Sequence, residues 1–316
     1  MSLPRIAIVI PCYNEEQALP ITAREILALI DRMADDELIS RDSYILCCND
    51  GSRDATWKVI TDLHAADNRL KGISLAHNRG HQYALLAGLM TAKDACDAAI
   101  SIDADLQDDP NAIIEMVRKF RDGKEIVFGV RSSRKTDTWF KRTTAHAFYS
   151  FQNAMGLETV YDHADYRLMS HRALELLSQY GESNLFLRGI IPQIGLETDI
   201  VTYERNERVA GESKYPLSKM LSFSIDGITS FSARPMRWIF MTGLILLVLD
   251  IFIAIYVLLA YFHHSAISGW TSIMLSVWFL GSLILMGIGI VGEYVGKIYI
   301  EVKNRPRYAI KDYLLD

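Results

Sequence analysis

Asp103 and Asp105 stand two residues apart behind an apolar run, in "AISIDADLQDDP" over residues 99–110, a stretch that holds four carboxylates. If an extended backbone continues through them, both side chains leave the chain on the same side. Two carboxylates crowded together repel, which is tolerable at the surface or where a cation sits between them. Asp108 and Asp109, just before Pro110, suit the first turn of a helix, where acids meet the positive end of its dipole. The chemistry open to Asp103 and Asp105 is therefore oxygen ligation of a hard cation.

The elements that must position this pair follow from the pattern upstream and downstream. Short apolar runs alternate with helical patterns: "RIAIVI", "EEQALPITAREILALIDRM", "SYILCCND", "DATWKVITDLHAA", "GISLAH", "HQYALLAGLMTAKDA", "AAISIDAD", "IIEMVRKFRDG" and "EIVFGV". This predicts an α/β domain with a mostly parallel sheet and helices on both faces, binding ligands at the carboxyl ends of its strands. The polar clusters "PCYNEE", "NDGSRD", "HNRGHQ" and "DADLQ" fall there. Neither GxGxxG after the first strand nor GxxxxGK[ST] anywhere is present, so the dinucleotide and P-loop fingerprints are excluded. From about residue 136 the alternation gives way to a helical stretch, then "YDHADYRLMS", then a strand-like "IVTYERNERV".

Half of the 316 residues are hydrophobic, enough for a sizeable core. A net charge of −5 without a long basic run argues against a nucleic-acid partner. Cys12, Cys47, Cys48 and Cys96 lack CxxC spacing and read as small buried hydrophobes in a reducing compartment. The apolar run in "MSLPRIAIVIPCYNEE" is too short for a signal peptide and reads as a buried strand.

Residues 238–262 and 270–292 are each apolar and long enough for a helix to cross a bilayer. Arg234 and Arg237 precede the first, Lys297, Lys303, Arg305 and Arg307 follow the second, and the connector "HHSAISG" has neither Lys nor Arg. The positive-inside rule then places both ends of the chain in the cytoplasm, with two passes through the inner (plasma) membrane. Asp250 inside the first span costs about 2.5–3.5 kcal/mol on insertion scales and is expected to face another helix. "GESKYPLSKMLSFSIDGITSFS", just ahead, reads as an amphipathic helix at the membrane surface.

In the order "IVIPCYNEE", "NDGSRDAT", "NRGHQYALLAGL", "DADLQDDP", "FGVRSSR", "DYRLM" and "RVAGESKYPLSKM", the motifs resemble the family 2 glycosyltransferases that charge polyisoprenyl phosphates. That group includes dolichol-phosphate mannose synthase and bactoprenol-phosphate glucosyltransferases. The resemblance covers nearly the whole chain and implies a GT-A (Rossmann-like) domain over residues 1–212. A juxtamembrane amphipathic region over 213–233, a two-helix transmembrane hairpin over 234–296 and a cytoplasmic C-terminal tail over 297–316 would follow.

The same resemblance implies the ligands and their residues. Asp103 and Asp105, with Gln107, would hold Mg²⁺ or Mn²⁺ against a nucleotide-sugar diphosphate. Pro11, Tyr13, Glu15, Asp50, Ala104 and Lys214 would meet the nucleotide sugar, and Asn49 stands where many relatives carry a second Asp. Arg131, Arg134 and Arg208 would meet the acceptor phosphate, Arg208 together with Asp105 and Asp165 serving the reaction itself. For Asp165 the roles of base, orienter and partner of Arg167 all stand open.

The activity implied is inverting transfer of a sugar, UDP-glucose being the first donor, to undecaprenyl phosphate for cell-envelope glycan modification. A homo-oligomer, a tetramer by family analogy, is expected through the spans, where Asp250 and "GIGIVGEYVG" favour helix partners. A processive polysaccharide synthase shares the domain, but those enzymes carry QxxRW and more spans. Here "RPMRW" at 234–238 has Arg in the Gln position. A catalytically silent membrane scaffold is the other alternative, against which the intact Asp50, Asp103 and Asp105 speak.

Overall fold

The computed structural model describes residues 3–131, 163–182, 185–204 and 269–316, with single positions between 239 and 252. The N-terminal part builds a Rossmann-like half: β1 (Ile6–Cys12), α1 (Leu19–Asp35), β2 (Tyr44–Asn49), α2 (Thr56–Ala66), β3 (Leu70–Leu75), α3 (His81–Ala92) and β4 (Ala98–Ser101). β1 pairs in parallel with β2 on one side and β4 on the other, and β2 pairs in parallel with β3. The strand order therefore reverses between β1 and β4. In such sheets a ligand crevice opens at the carboxyl ends of the two strands where the order reverses.

The strands are buried on both faces, which is why they read as apolar runs rather than as alternation. Ile8, Ile10, Cys47 and Ile100 pack on one side with Ile26, Ile30 and Met33 of α1. On the other side α3 lies so close that a Cβ on Gly88 would come within 2.3 Å of Cys48 Sγ and 2.5 Å of Val9 Cγ1. Glycine is required there by the close approach of helix to sheet.

The rest of the sheet is mixed. After α4 (Ala112–Arg121) come β5 (Ile126–Arg131), β6 (His163–Ser170), α5 (His171–Ser178), α6 (Leu187–Gln193) and β7 (Thr198–Tyr203). β6 inserts antiparallel between β4 and β5, and β7 pairs in parallel with β5. The expected sheet was mostly parallel, with no strand placed on "YDHADYRLMS". Burial of Tyr166, Leu168 and Met169 makes it an interior strand.

The described residues fall into two compact units, the sheet forming one and the long helix α7 (Trp270–Val302) the other. Residues 305–316 belong to the sheet unit. They include β8 (Ile310–Leu314), antiparallel to β3 at the sheet edge, giving the order β7-β5-β6-β4-β1-β2-β3-β8. The expected C-terminal tail is thus an edge strand. Its alternating half-burial turns Ile310, Asp312 and Leu314 inward, Leu314 packing on the core. The Ala76 N–H donates to the Ala309 carbonyl (2.9 Å), and Lys71 and Arg307 hold the Leu315 and Tyr180 carbonyls.

Within α7, Phe279–Val302 is long and apolar enough to cross a membrane, one such helix among the described residues where two spans were expected. At about 1.5 Å per residue its 33 residues reach well past a hydrocarbon core, and it runs beyond the expected end at 296. The expected first span, 238–262, lies outside the described residues apart from helical positions such as Met241, Ile245 and Phe252. The expected interfacial helix over 213–233 lies outside them entirely.

Deleting residues 310–316 unpairs β3 and uncovers Leu314's site, a loss of roughly 2 kcal/mol from side-chain burial alone. The thermal unfolding midpoint of the sheet unit should fall by about 4–8 °C. An unchanged midpoint would mean that the strand contributes nothing to the fold.

Candidate active site

Two loops close over the end of β1 by hydrogen bonding to each other. The Asn14 N–H donates to Ser52 Oγ (3.0 Å), and Asn14 Oδ1 accepts from the Arg53 N–H (2.9 Å). The Glu15 N–H donates to Thr56 Oγ1 (2.9 Å), and Glu16 Oε2 accepts from the Ala55 N–H (2.9 Å). Asn14 takes a left-handed φ of 56° to do so, a conformation Asn tolerates. Pro11 is buried, Glu15 half-buried, and the Tyr13 ring 41 % exposed at the mouth of the crevice. Asn49 is structural, its amide joining Ser74 Oγ (2.9 Å) to the Ser52 N–H (3.1 Å).

Asp50 is buried, and its two oxygens accept from the N–H groups of Arg79 (2.7 Å) and Gly80 (2.8 Å). Burial raises its pKa, opposed by those two bonds. The expected nucleotide acid is therefore first of all a clamp on the loop after β3. Gly51, in the left-handed region (φ 61°), lets that loop in: a Cβ there would lie 2.7 Å from the Asn78 nitrogen. The clamped loop ends at Gly80 (φ 94°), which starts α3 with His81.

β4 stops at Ser101, so Asp103 and Asp105 sit beyond the strand, Asp105 in a turn, and the condition of a continuing extended strand is not met. The two-residue alternation nevertheless survives. Asp103, Asp105 and Gln107 are half-exposed while Ala104, Leu106 and Asp108 are buried. Leu106 adopts φ 51°, costly for a leucine and imposed by turning its side chain inward between two outward ones. The Asp105 Oδ1 accepts from the Gln107 N–H (3.2 Å), and Thr22 Oγ1 donates to the Ala104 carbonyl (2.6 Å). Ala104, expected to meet the nucleotide sugar, is buried between the two acids, its carbonyl held by Thr22.

Asp103 has its pKa raised, by burial first, with Asp165, Asp108 and Asp105 adding to it and His81 opposing. Carboxylates crowded in this way fit a divalent cation bound by hard oxygen ligands. Among the described residues no group of three His, Cys, Asp or Glu makes a complete cage. Two carboxylates leaving positions for substrate oxygens are the usual Mg²⁺ arrangement.

Continuing the β4–β6 register, in which Ser101 faces Arg167, by two residues brings Asp165 opposite Asp103. Asp165 accepts from Arg188 Nε and Nη2 (3.2 and 3.1 Å) and from Arg167 Nη2. Burial would raise its pKa, but Arg188, Arg167 and His81 hold it well below the usual carboxylate range. Such a carboxylate is a poor proton acceptor, so of its three open roles orienter and arginine partner fit this geometry. His81 Nε2 stands 3.6 Å from Asp103 Oδ1 and 3.7 Å from Asp165 Oδ2, one imidazole spanning the gap. Sequence reasoning noted "HNRGHQ" without giving His81 a role, and Arg188, on the short α6, carried no motif.

Arg131, expected to meet the acceptor phosphate, has a partner within the sheet unit. Its Nε and Nη2 bind Asp108 Oδ1 (3.1 and 2.9 Å), to which Tyr203 also donates (2.7 Å). The guanidinium expected to meet an acceptor phosphate already neutralises a buried acid. Asp108 is accordingly an internal counter-ion, whereas Asp109 keeps its place before α4, its Oδ1 accepting from the Asn111 N–H (3.0 Å). Arg134, Arg208 and Lys214 lie outside the described residues. Arg131→Met strands Asp108 without a counter-charge and should cost about 3 kcal/mol of stability, read as a lower denaturant midpoint. Unchanged stability with loss of activity alone would leave Arg131 to the acceptor only.

The Glycosyl transferase family 2 profile matches residues 7–178, more than half of the chain. The uncharacterized glycosyltransferase YkoT of Bacillus subtilis (strain 168) is 50% identical over 98% of this chain and 92% of its own length. The prophage bactoprenol glucosyl transferase homolog of Escherichia coli (strain K12) is 39% identical over 97% of this chain and 98% of its own. Mannosyl-3-phosphoglycerate synthase from Rubrobacter xylanophilus superposes over 74% of each chain, with a TM-score of 0.48 and 19% identity. With an acidic pair at the end of β4 and a profile match running from β1 through α5, the chain belongs to glycosyl transferase family 2.

Proposed function

We propose that this protein transfers a single sugar from a nucleotide sugar, UDP-glucose first, to undecaprenyl phosphate at the cytoplasmic face of the plasma membrane. The observation that carries this reading is the meeting, across His81, of an acidic pair suited to a donor-bound metal with an arginine-rich cluster suited to a second anion. Similarity over almost the full length to proteins named bactoprenol glucosyl transferases supports the lipid phosphate as acceptor.

Asp103 and Asp105, with Gln107 beside them, would hold Mg²⁺ or Mn²⁺, which when bound offsets the charge on a departing nucleoside diphosphate. Tyr13 offers an exposed ring face for a base at the crevice mouth, flanked by Pro11 and Glu15, while Asp50 keeps the neighbouring loop in place. A phosphate monoester with second pKa about 6 is already largely ionised at neutral pH. One of its oxygens attacks the anomeric carbon while the bond to the diphosphate breaks, the electron pair leaving with the nucleoside diphosphate. No proton need be removed, and Asp165, held ionised between arginines, orients rather than accepts. One displacement inverts the anomeric centre without a covalent enzyme intermediate. Arg208 and Lys214 are assigned to phosphates at the membrane-side edge.

Phe279–Val302 supports membrane anchorage, and Lys303, Arg305 and Arg307 after it support a cytoplasmic C-terminus. The small residues of "GIGIVGEYVG" on this helix support helix partners from further copies in a homo-oligomer, a tetramer being the expected number.

The purified full chain, given undecaprenyl phosphate, Mg²⁺ or Mn²⁺ and a mixture of UDP-glucose, UDP-galactose and UDP-N-acetylglucosamine, should yield lipid carrying one hexose drawn from UDP-glucose. Mass spectrometry reads this directly. A ladder of sugars would favour a processive synthase, and no product with any donor a silent scaffold. Asp105→Asn should lower transfer at least a hundredfold, about 2.7 kcal/mol, with circular dichroism and membrane partitioning unchanged. Near-normal transfer at saturating metal would remove the metal assignment.

A further inference from the structure

Arg131 closes β5 at the same rim of the sheet as the acidic pair, because β4 and β5 both run antiparallel to β6 between them. Its partner across the β5–β7 pairing is Tyr203. Asp108 reaches both from the turn after β4. Its Oδ1 accepts from Arg131 Nε (3.1 Å), from Arg131 Nη2 (2.9 Å) and from the Tyr203 hydroxyl (2.7 Å), and its Oδ2 accepts from Nη2 (3.3 Å). One edge of the guanidinium is used in this way. Nη1 donates no hydrogen bond among the described residues, and the side chain keeps 25% exposure.

The group that holds the arginine is itself held. Asp108 is 1% exposed, and the Tyr203 ring meets Tyr166 edge-on with centroids 5.2 Å apart. The Tyr166 hydroxyl donates in turn to the Asp109 carbonyl (2.9 Å). Asp108 follows Asp105 by three residues in a segment braced by Thr22 at the Ala104 carbonyl, so the acidic pair and the grip on Arg131 belong to one short stretch of backbone. The grip lies within electrostatic reach of the site: Asp108 adds to the repulsion on Asp103, and Arg131 to that on Arg188. A planar guanidinium bonded along one edge presents its remaining donors at a fixed angle, which suits a phosphate oxygen.

We propose that Asp108 and Tyr203 are positioning residues for sugar transfer, holding Arg131 by one edge so that Nη1 meets the phosphate of the acceptor lipid. The inference rests on the glycosyl-transfer reading above. It adds that the turn carrying the acids suited to the donor's metal also sets the arginine, so that one element brings the two substrates into register. Charge alone would act in the opposite sense, since a carboxylate beside Arg131 weakens its pull on an anion. Removing the acid therefore separates the two effects: weaker acceptor binding reports lost orientation, and tighter binding reports charge.

Tyr203→Phe and Asp108→Asn, each in the parent and in an Arg131→Lys background, are assayed as full chains in detergent–lipid micelles against an undecaprenyl phosphate series at saturating UDP-glucose. UDP-glucose affinity is measured separately with Mn²⁺ present. In the parent background Tyr203→Phe should raise the acceptor KM about threefold and Asp108→Asn about tenfold, with donor Kd nearly unchanged. Lysine has no fork to hold, so in the Arg131→Lys background each substitution should change the acceptor KM by less than about twofold. Tyr203→Phe alters no charge and keeps the ring, which leaves the proposal testable if Asp108→Asn does not fold. An unchanged or lowered acceptor KM overturns the proposal. Equal rises in the Arg131→Lys background do so as well, because the two residues then act by another route, as does a donor Kd that worsens in step with KM, the mark of a general loss of structure. If the parent chain transfers no sugar to undecaprenyl phosphate, the functional reading fails and this inference with it; parental activity with indifferent Tyr203 and Asp108 variants refutes the inference alone.

Discussion

Carboxylates on neighbouring strand ends repel, and the organisation of this site follows from how that repulsion is met. Antiparallel insertion of β6 beside β4 brings Asp165 opposite Asp103, with Asp105 and Asp108 close behind. Each acid is then given a different counterpart. Asp108 has Arg131 and Tyr203, Asp165 has Arg167 and Arg188, and Asp50 has two backbone N–H groups. Asp103 and Asp105 remain as the half-exposed pair to which a divalent cation is suited.

That division costs stability where it is most useful for chemistry. Arg167 is buried with two guanidinium nitrogens, Nε and Nη1, unbonded among the described residues, and an unsatisfied buried donor costs about 1–3 kcal/mol. Leu106 sits in a left-handed conformation, and burial raises the pKa of Asp103. The surrounding parallel strands, with no exposed residue in β1, β2 or β4, provide the rigid packing against which such local costs can be held. Preset charges of this kind need little rearrangement when an anion or a metal arrives.

The loops are ordered by each other rather than by the sheet alone. Asn14, Glu16, Ser52 and Thr56 join the first two, and Asp50 joins the second to the third, so that the crevice at the end of β1 and His81 are set by one continuous hydrogen-bond network. At the far edge β8 closes on β3, which ties the residues that follow the membrane-length helix into the same sheet as the site.

The α/β alternation, the strand-end clusters and the exposed acidic pair were legible in the sequence because they depend on local periodicity and residue type. The long apolar helix was legible for the same reason, although its end was not. β6 and β8 were missed because their partners lie far away in sequence: Arg167 faces Ser101, and Tyr313 faces Ile73. Partner choice among charges was decided by the same long-range pairings. Arg131 and Arg188 are alike as letters, and the fold gives the first to Asp108 and the second to Asp165. Composition and spacing determined which chemistry this chain could perform, while the tertiary fold decided which arginine, which histidine and which carboxylate stand together, because charge interactions act over a few ångströms of space rather than along the chain.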